Sequence, residues 1–68
     1  MTIWINEQVD PSGIIHACIA CCDQTQAEEC HVEFQAKLTP NQRQAGWLAR
    51  LRTVDSWDDV PVTALKLS

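Results

Sequence analysis

The 68-residue sequence predicts an α+β fold: a small antiparallel sheet with one helix packed on one face, in the order β-β-β-α-β. Three observations carry that expectation. Residues 2–9 alternate and are rich in β-formers. Asp10-Pro11-Ser12-Gly13 is a tight-turn motif. Thr39-Pro40-Asn41-Gln42 has the residues of a helix start. At this length about 60% of the unfolded surface can be buried, enough for one small core and a single domain over residues 1–68.

Thr2-Ile3-Trp4-Ile5-Asn6 begins the first strand, about residues 2–9. In the turn, Pro11 presets the first central position and Gly13 suits a left-handed one. A three-residue hairpin loop of this kind pairs Asp10 with Ile14, then Val9 with Ile15, Ile5 with Ile19 and Ile3 with Cys21. The second strand is then about 14–22 and the third about 28–37, joined through Asp23–Ala27. Pairing Gln24 with Ala27 sets Cys21 against Cys30, Ile19 against Val32, Ala17 against Phe34 and Ile15 against Ala36. One apolar face results, and a one-residue slip would scatter it. The opposite face carries His16, Cys18, Ala20 and Cys22 with Glu29, His31, Glu33 and Gln35, and also Trp4, Asn6, Gln8 and Asp10. Glu7 is the misfit, on the dry side; an edge position would let its carboxylate reach water.

Thr39 as N-cap, Pro40 at the first helical position and Gln42 closing a capping box start a helix over residues 40–54. Trp47, Leu48, Leu51 and Val54 lie at helical spacing and would dock on the dry face. Arg50 and Arg52 would suit the C-terminal end of its dipole. Trp57 is expected to fold back over the core. Pro61 allows an edge strand or the start of a helix, and Val60, Val62, Thr63, Leu65 and Leu67 favour a short strand over residues 61–67.

Charge is unevenly laid out. Residues 1–36 hold Glu7, Asp10, Asp23, Glu28, Glu29 and Glu33 with no Lys or Arg. Residues 37–54 hold Lys37, Arg43, Arg50 and Arg52 with no acid. Phosphate contact needs clustered cations, so direct nucleic-acid binding by the whole domain is not expected; a cation-bearing protein partner is. No apolar run reaches the ~20 residues of a membrane span, and no signal sequence is visible at Met1. The expected location is cytoplasmic, where thiols stay reduced. Cys21 and Cys30 are the pair that this register could bridge under oxidation.

Cys18, Cys22, Cys30 and His31 invite a second reading as a small zinc- or thiol-dependent domain. Against it, Cys18 and Cys22 on one strand would lie roughly 13–14 Å apart, too far for one ion with Zn–S near ~2.3 Å. A Cys–His nucleophile would also need an orienting group, an oxyanion site and a pocket. No enzyme activity, metal or cofactor is therefore expected. The acidic strip has two readings. It keeps a small domain soluble, or it imitates the phosphates of duplex DNA for a Lys/Arg groove. Trp4, on the polar face beside the acids, would be an interface anchor.

A short acidic chain with a small sheet, one helix and no catalytic motif resembles the phage-encoded anti-CRISPR proteins that act on type I effector complexes. The resemblance is one of whole-chain profile. It implies a non-enzymatic inhibitor that mimics double-stranded DNA and blocks target binding by a large Cas subunit. Asp10, Asp23, Glu28, Glu29, Glu33, Asp58 and Asp59 would be its contacts, with Trp4 as anchor. Separately from the resemblance, the chain is expected to be a monomer or a weak homodimer joined through sheet edges or the wet face.

Overall fold

A computed structural model describes residues 1–67. The chain is α+β: a four-stranded mixed sheet with one main helix packed against it. The elements are β1 (Ile3–Val9), β2 (Ile15–Cys21), α1 (Gln24–Lys37), α2 (Pro40–Ala45), β3 (Leu48–Val54), a 3₁₀ turn (Trp57–Asp59) and β4 (Leu65–Leu67). The strands lie in the order β3-β1-β2-β4. β1 is antiparallel to both neighbours, but β4 runs parallel to β2, so the sheet is not purely antiparallel.

The first hairpin forms as its turn chemistry demands. Gly13 takes φ +87°, the Gly13 amide donates to the Asp10 carbonyl, and the Asp10 amide donates to that of Ile14. Val9 pairs with Ile15. A bulge then inserts His16 between Ile15 and Ala17 on β2, opposite the Gln8–Val9 step. Beyond it the register moves by one: Ile5 faces Ala20, not Ile19, and Trp4, not Ile3, faces Cys21. The slip exchanges the faces of β2 past the bulge. Cys18 and Ala20 thus join Ile3 and Ile5 in the buried cluster, instead of lying on a wet face.

The expected third strand, 28–37, is α1, so the ladder through Cys21–Cys30 does not exist. Two periodicities compete there. Cys30, Val32, Phe34 and Ala36 alternate, while Ala27, Cys30, His31, Phe34 and Leu38 repeat at helical spacing. The second wins because Asp23 caps the helix, accepting from the Thr25 and Gln26 amides. Gln, Ala, Glu and Lys along the segment are also good helix formers. Ala27 and Phe34 are buried, and Val32, inward-facing in a strand, stays 63% exposed.

The expected helix 40–54 is also different. Its start is as predicted: Thr39 and Gln42 form the reciprocal capping box, and Pro40 opens the first turn. It ends after six residues because Gly46 takes a left-handed φ of +108°, and the Trp47 amide returns to the Gln42 carbonyl. Leu48–Val54 then continues as the edge strand β3.

The sheet is covered on both sides. α1 lies over the face of Trp4, Asn6 and Gln8, which the sequence had marked as wet. The buried Asn6 side-chain amide donates to the Ala27 carbonyl at 3.0 Å, and Gln8 to that of Phe34 at 2.9 Å. Phe34 is in the last turn of α1, where carbonyls lack helical partners, so Gln8 fills a vacancy that the helix cannot. On the other face Val60 and Trp57 close over Ile3, Ile5, Cys18 and Ala20. Trp57 folds over the core as anticipated. Of the expected strand 61–67, only Leu65–Leu67 is extended.

Candidate functional site

Two charged regions stand out, and they are built in opposite ways. The first is the outer face of α1. With Ala27, Phe34 and Leu38 turned inward, helical geometry leaves Thr25, Glu28, Glu29, Val32, Glu33 and Ala36 outward, and all six are exposed. The three carboxylates surround Val32. Among the described residues, of the three only Glu28 has a side-chain hydrogen-bond partner, Gln24 at 3.2 Å. Cys22 is exposed beside the helix start.

The second region is Glu7 with Arg50 and Arg52. Glu7 is wholly buried on the central strand β1, not at an edge. β3 pairs Arg50 directly with Glu7 and puts Arg52 opposite Ile5, so strand alternation sends both arginines to the face that carries Glu7. Arg50 Nε donates to Glu7 Oε1 at 2.7 Å, and Arg52 Nε to the same oxygen at 2.9 Å. Burial pushes the Glu7 carboxyl pKa up, but the hydrogen bonds from Arg52 and Arg50 and their charges outweigh it and hold it below the ordinary value. Glu7 Oε2 is buried, with no hydrogen-bond partner among the described residues. This cluster was missed from sequence. The available signal was an Arg-x-Arg alternation in a segment able to be a strand, together with one acid on an otherwise apolar face.

The remaining expected site residues are scattered. Asp10 closes the hairpin: its Oδ1 accepts from the Ser12 and Ile14 amides, and its Oδ2 meets His16 Nε2 at 2.7 Å. The hydrogen bond to His16, then that from the Ile14 amide, lowers the Asp10 pKa. The His16 ring also packs on Trp47 with centroids 4.5 Å apart. Asp23 is occupied in capping α1. Asp58 and Asp59 lie in the 3₁₀ turn, across the sheet from α1, so the seven acids form no single strip. Trp4 is half-buried on the sheet face that α1 covers, which corrects the expectation of an exposed anchor.

Nor does the fold gather Cys18, Cys22, Cys30 and His31. Cys18 is buried on the face opposite α1, Cys22 is exposed at the end of β2, and Cys30 and His31 are half-buried on α1. Among the described residues, no three His, Cys, Asp or Glu side chains are placed to hold a metal ion. Burial pushes the Cys18 thiol pKa up, and the Glu7 charge adds to it; burial and Glu33 do the same at Cys30. Fewer thiolates at neutral pH make both thiols poor nucleophiles. A groove of about 450 Å³ runs between the end of α1 and the start of β3, lined by Gln35, Leu38, Arg43, Leu48 and Ala49. Arg43 closes one end by donating to the Gln35 carbonyl.

Among the described residues no helix is long and apolar enough to cross a membrane. No protein-family model matches the chain, and no curated protein or solved structure matches it.

Proposed function

We propose that this protein is a non-enzymatic inhibitor. The acidic outer face of α1 occupies a cationic groove of a DNA-handling protein and keeps DNA out, as in the anti-CRISPR proteins that act on type I effector complexes. It acts in the cytoplasm of a bacterial host and does not itself bind nucleic acid. The observation that carries the reading is the exposed set of Glu28, Glu29 and Glu33 around Val32, on a helix with no Lys or Arg before Lys37. Three carboxylates on a rigid helix suit a Lys/Arg surface built for phosphates, and complementary charge speeds encounter and rejects wrong partners. The exposed Val32 at their centre suits a protein groove, which offers apolar contact beside its cations. Asp10, Asp23, Asp58 and Asp59 lie elsewhere in the fold, so the contact set contracts to the three glutamates of α1.

The test is affinity capture from a lysate of bacteria with a type I CRISPR system, read by mass spectrometry. The tagged wild type is compared with Glu28→Gln/Glu29→Gln/Glu33→Gln. The wild type is expected to recover a Cas effector subunit and the variant to lose it, with wild-type recovery falling as salt rises. Equal recovery by both would remove α1 from the contact. Recovery of no DNA-handling protein would remove the function.

A further inference from the structure

The outer edge of β3 is a second surface, unrelated to the acidic face of α1. β3 is the terminal strand of the sheet, seven residues long, with no proline and an unbroken register against β1. Among the described residues its other side pairs with nothing, so alternate backbone amides and carbonyls there face outward. Proteins commonly blunt such edges with a bulge or a proline, and β3 has neither.

The side chains flanking that edge are matched to one kind of visitor. Arg50 and Arg52 stand two residues apart on one face, the spacing of same-side residues in a strand. Because both Nε groups bind the single oxygen Glu7 Oε1, two like charges are drawn together and fixed in orientation. Each donates only through Nε to Glu7, which leaves the Nη donors for a ligand, and the side chains are 47% and 38% exposed. On the opposite face, Ala49 opens into the groove lined also by Gln35, Leu38 and Arg43, with Leu48 at the start of the strand. One side of the edge thus offers paired guanidinium groups, and the other a recess with Leu38 and Ala49 in its wall.

We propose that β3 takes up an extended acidic peptide of a partner protein as a fifth strand. Its alternate residues are acidic toward Arg50 and Arg52 and apolar toward the groove at Ala49. Backbone hydrogen bonds along the edge supply the affinity and the alternating side chains the specificity. A carboxylate meets a guanidinium bidentately, and Glu7 holds each guanidinium ready for it. A second copy of the chain is a poor occupant, because antiparallel β3–β3 pairing centred on Leu51 would set Arg50 against the other copy's Arg52. Like charges directly opposed across strands repel.

Removing the arginines would strip Glu7 of its partners, so the test varies the peptide and leaves the protein intact. The probe is Thr-Val-Glu-Val-Glu-Val-Thr, whose pattern reads the same in both directions. It is titrated into the isotope-labelled chain and followed by amide shifts. Shifts are expected along Leu48–Val54. The peptide with both Glu replaced by Gln should bind about tenfold more weakly, the scale of two surface ion pairs. N-methylation of every interior peptide amide, which blocks either edge and so either direction of pairing, should abolish binding. The proposal is overturned if millimolar peptide shifts nothing, if the shifts fall on α1 and spare β3, or if the fully N-methylated form binds as well as the parent.

Discussion

The acids of α1 and the arginines of β3 are equally visible in the sequence as charged residues, yet the fold treats them oppositely. Arg50 and Arg52 are tied to a carboxylate with no exposure to water. Glu29 and Glu33 are exposed, and among the described residues neither enters a salt bridge. The first pair is therefore part of what lets the sheet close, while the second can be altered at little cost to folding. A charge that the fold does not use is the better candidate for recognition; one already anchored contributes to recognition only through the donors it has left.

The sharpest way to break the comparison is to remove both arginines. Arg50→Ala/Arg52→Ala leaves Glu7 buried and uncompensated, and should cost about 3–5 kcal/mol, the range for breaking a buried pair from one side. Urea unfolding measures it. Glu7→Leu should cost less, because the freed arginines already reach water. A loss as large for Glu7→Leu as for the double variant would show that the arginines, not Glu7, are the stranded groups.

Acid sharpens the same contrast. The Glu7 pKa is lower in the folded chain than its ordinary 4.5, so its contribution to stability is fully present above that value. It is lost as pH falls from there through the lower folded value. In Arg50→Ala/Arg52→Ala only burial remains to act, and the carboxyl pKa rises. Protonation then relieves the variant, and its deficit against wild type should narrow on acidification. Melting temperatures from pH 7 to pH 3 would show a constant gap if Glu7 were not responsible.

Smaller effects test how α1 is held. Asn6→Ala removes the buried hydrogen bond to the Ala27 carbonyl and should cost about 1–2 kcal/mol. Asp23→Ala removes the N-cap and should cost about 1 kcal/mol, visible as lost helical circular dichroism at lower urea. If neither lowers the unfolding midpoint, α1 is held without them, by the packing of Ala27, Phe34 and Leu38 and by the Gln8 hydrogen bond.

What the sequence made legible was local chemistry. The Asp10–Gly13 turn, the Thr39 capping box and the fold of Trp57 over the core were readable because each rests on neighbours in the chain or on one large side chain. Residues 24–37 and 48–54 were not. Both stretches carry two apolar periodicities at once, and the deciding residues, Asp23 as a cap and Gly46 as a stop, act at their boundaries. The bulge at His16 left no local signature, and it alone moved Cys18 and Ala20 into the core. Glu7 looked like an error in the pattern because its partners lie more than forty residues away. Glu29 and Glu33 share a face at strand or helical spacing alike, but Glu28 joins them only on the helix.

The comparison rests finally on whether the fold can do without the α1 acids. Urea unfolding of Glu28→Gln/Glu29→Gln/Glu33→Gln asks this directly, since glutamine keeps helix propensity and size while removing the charge. The account predicts a midpoint equivalent to wild type within about 0.5 kcal/mol, the range of surface substitutions that break no anchored contact. A loss of several kcal/mol would contradict it, because the α1 carboxylates would then be structural, as the β3 arginines are.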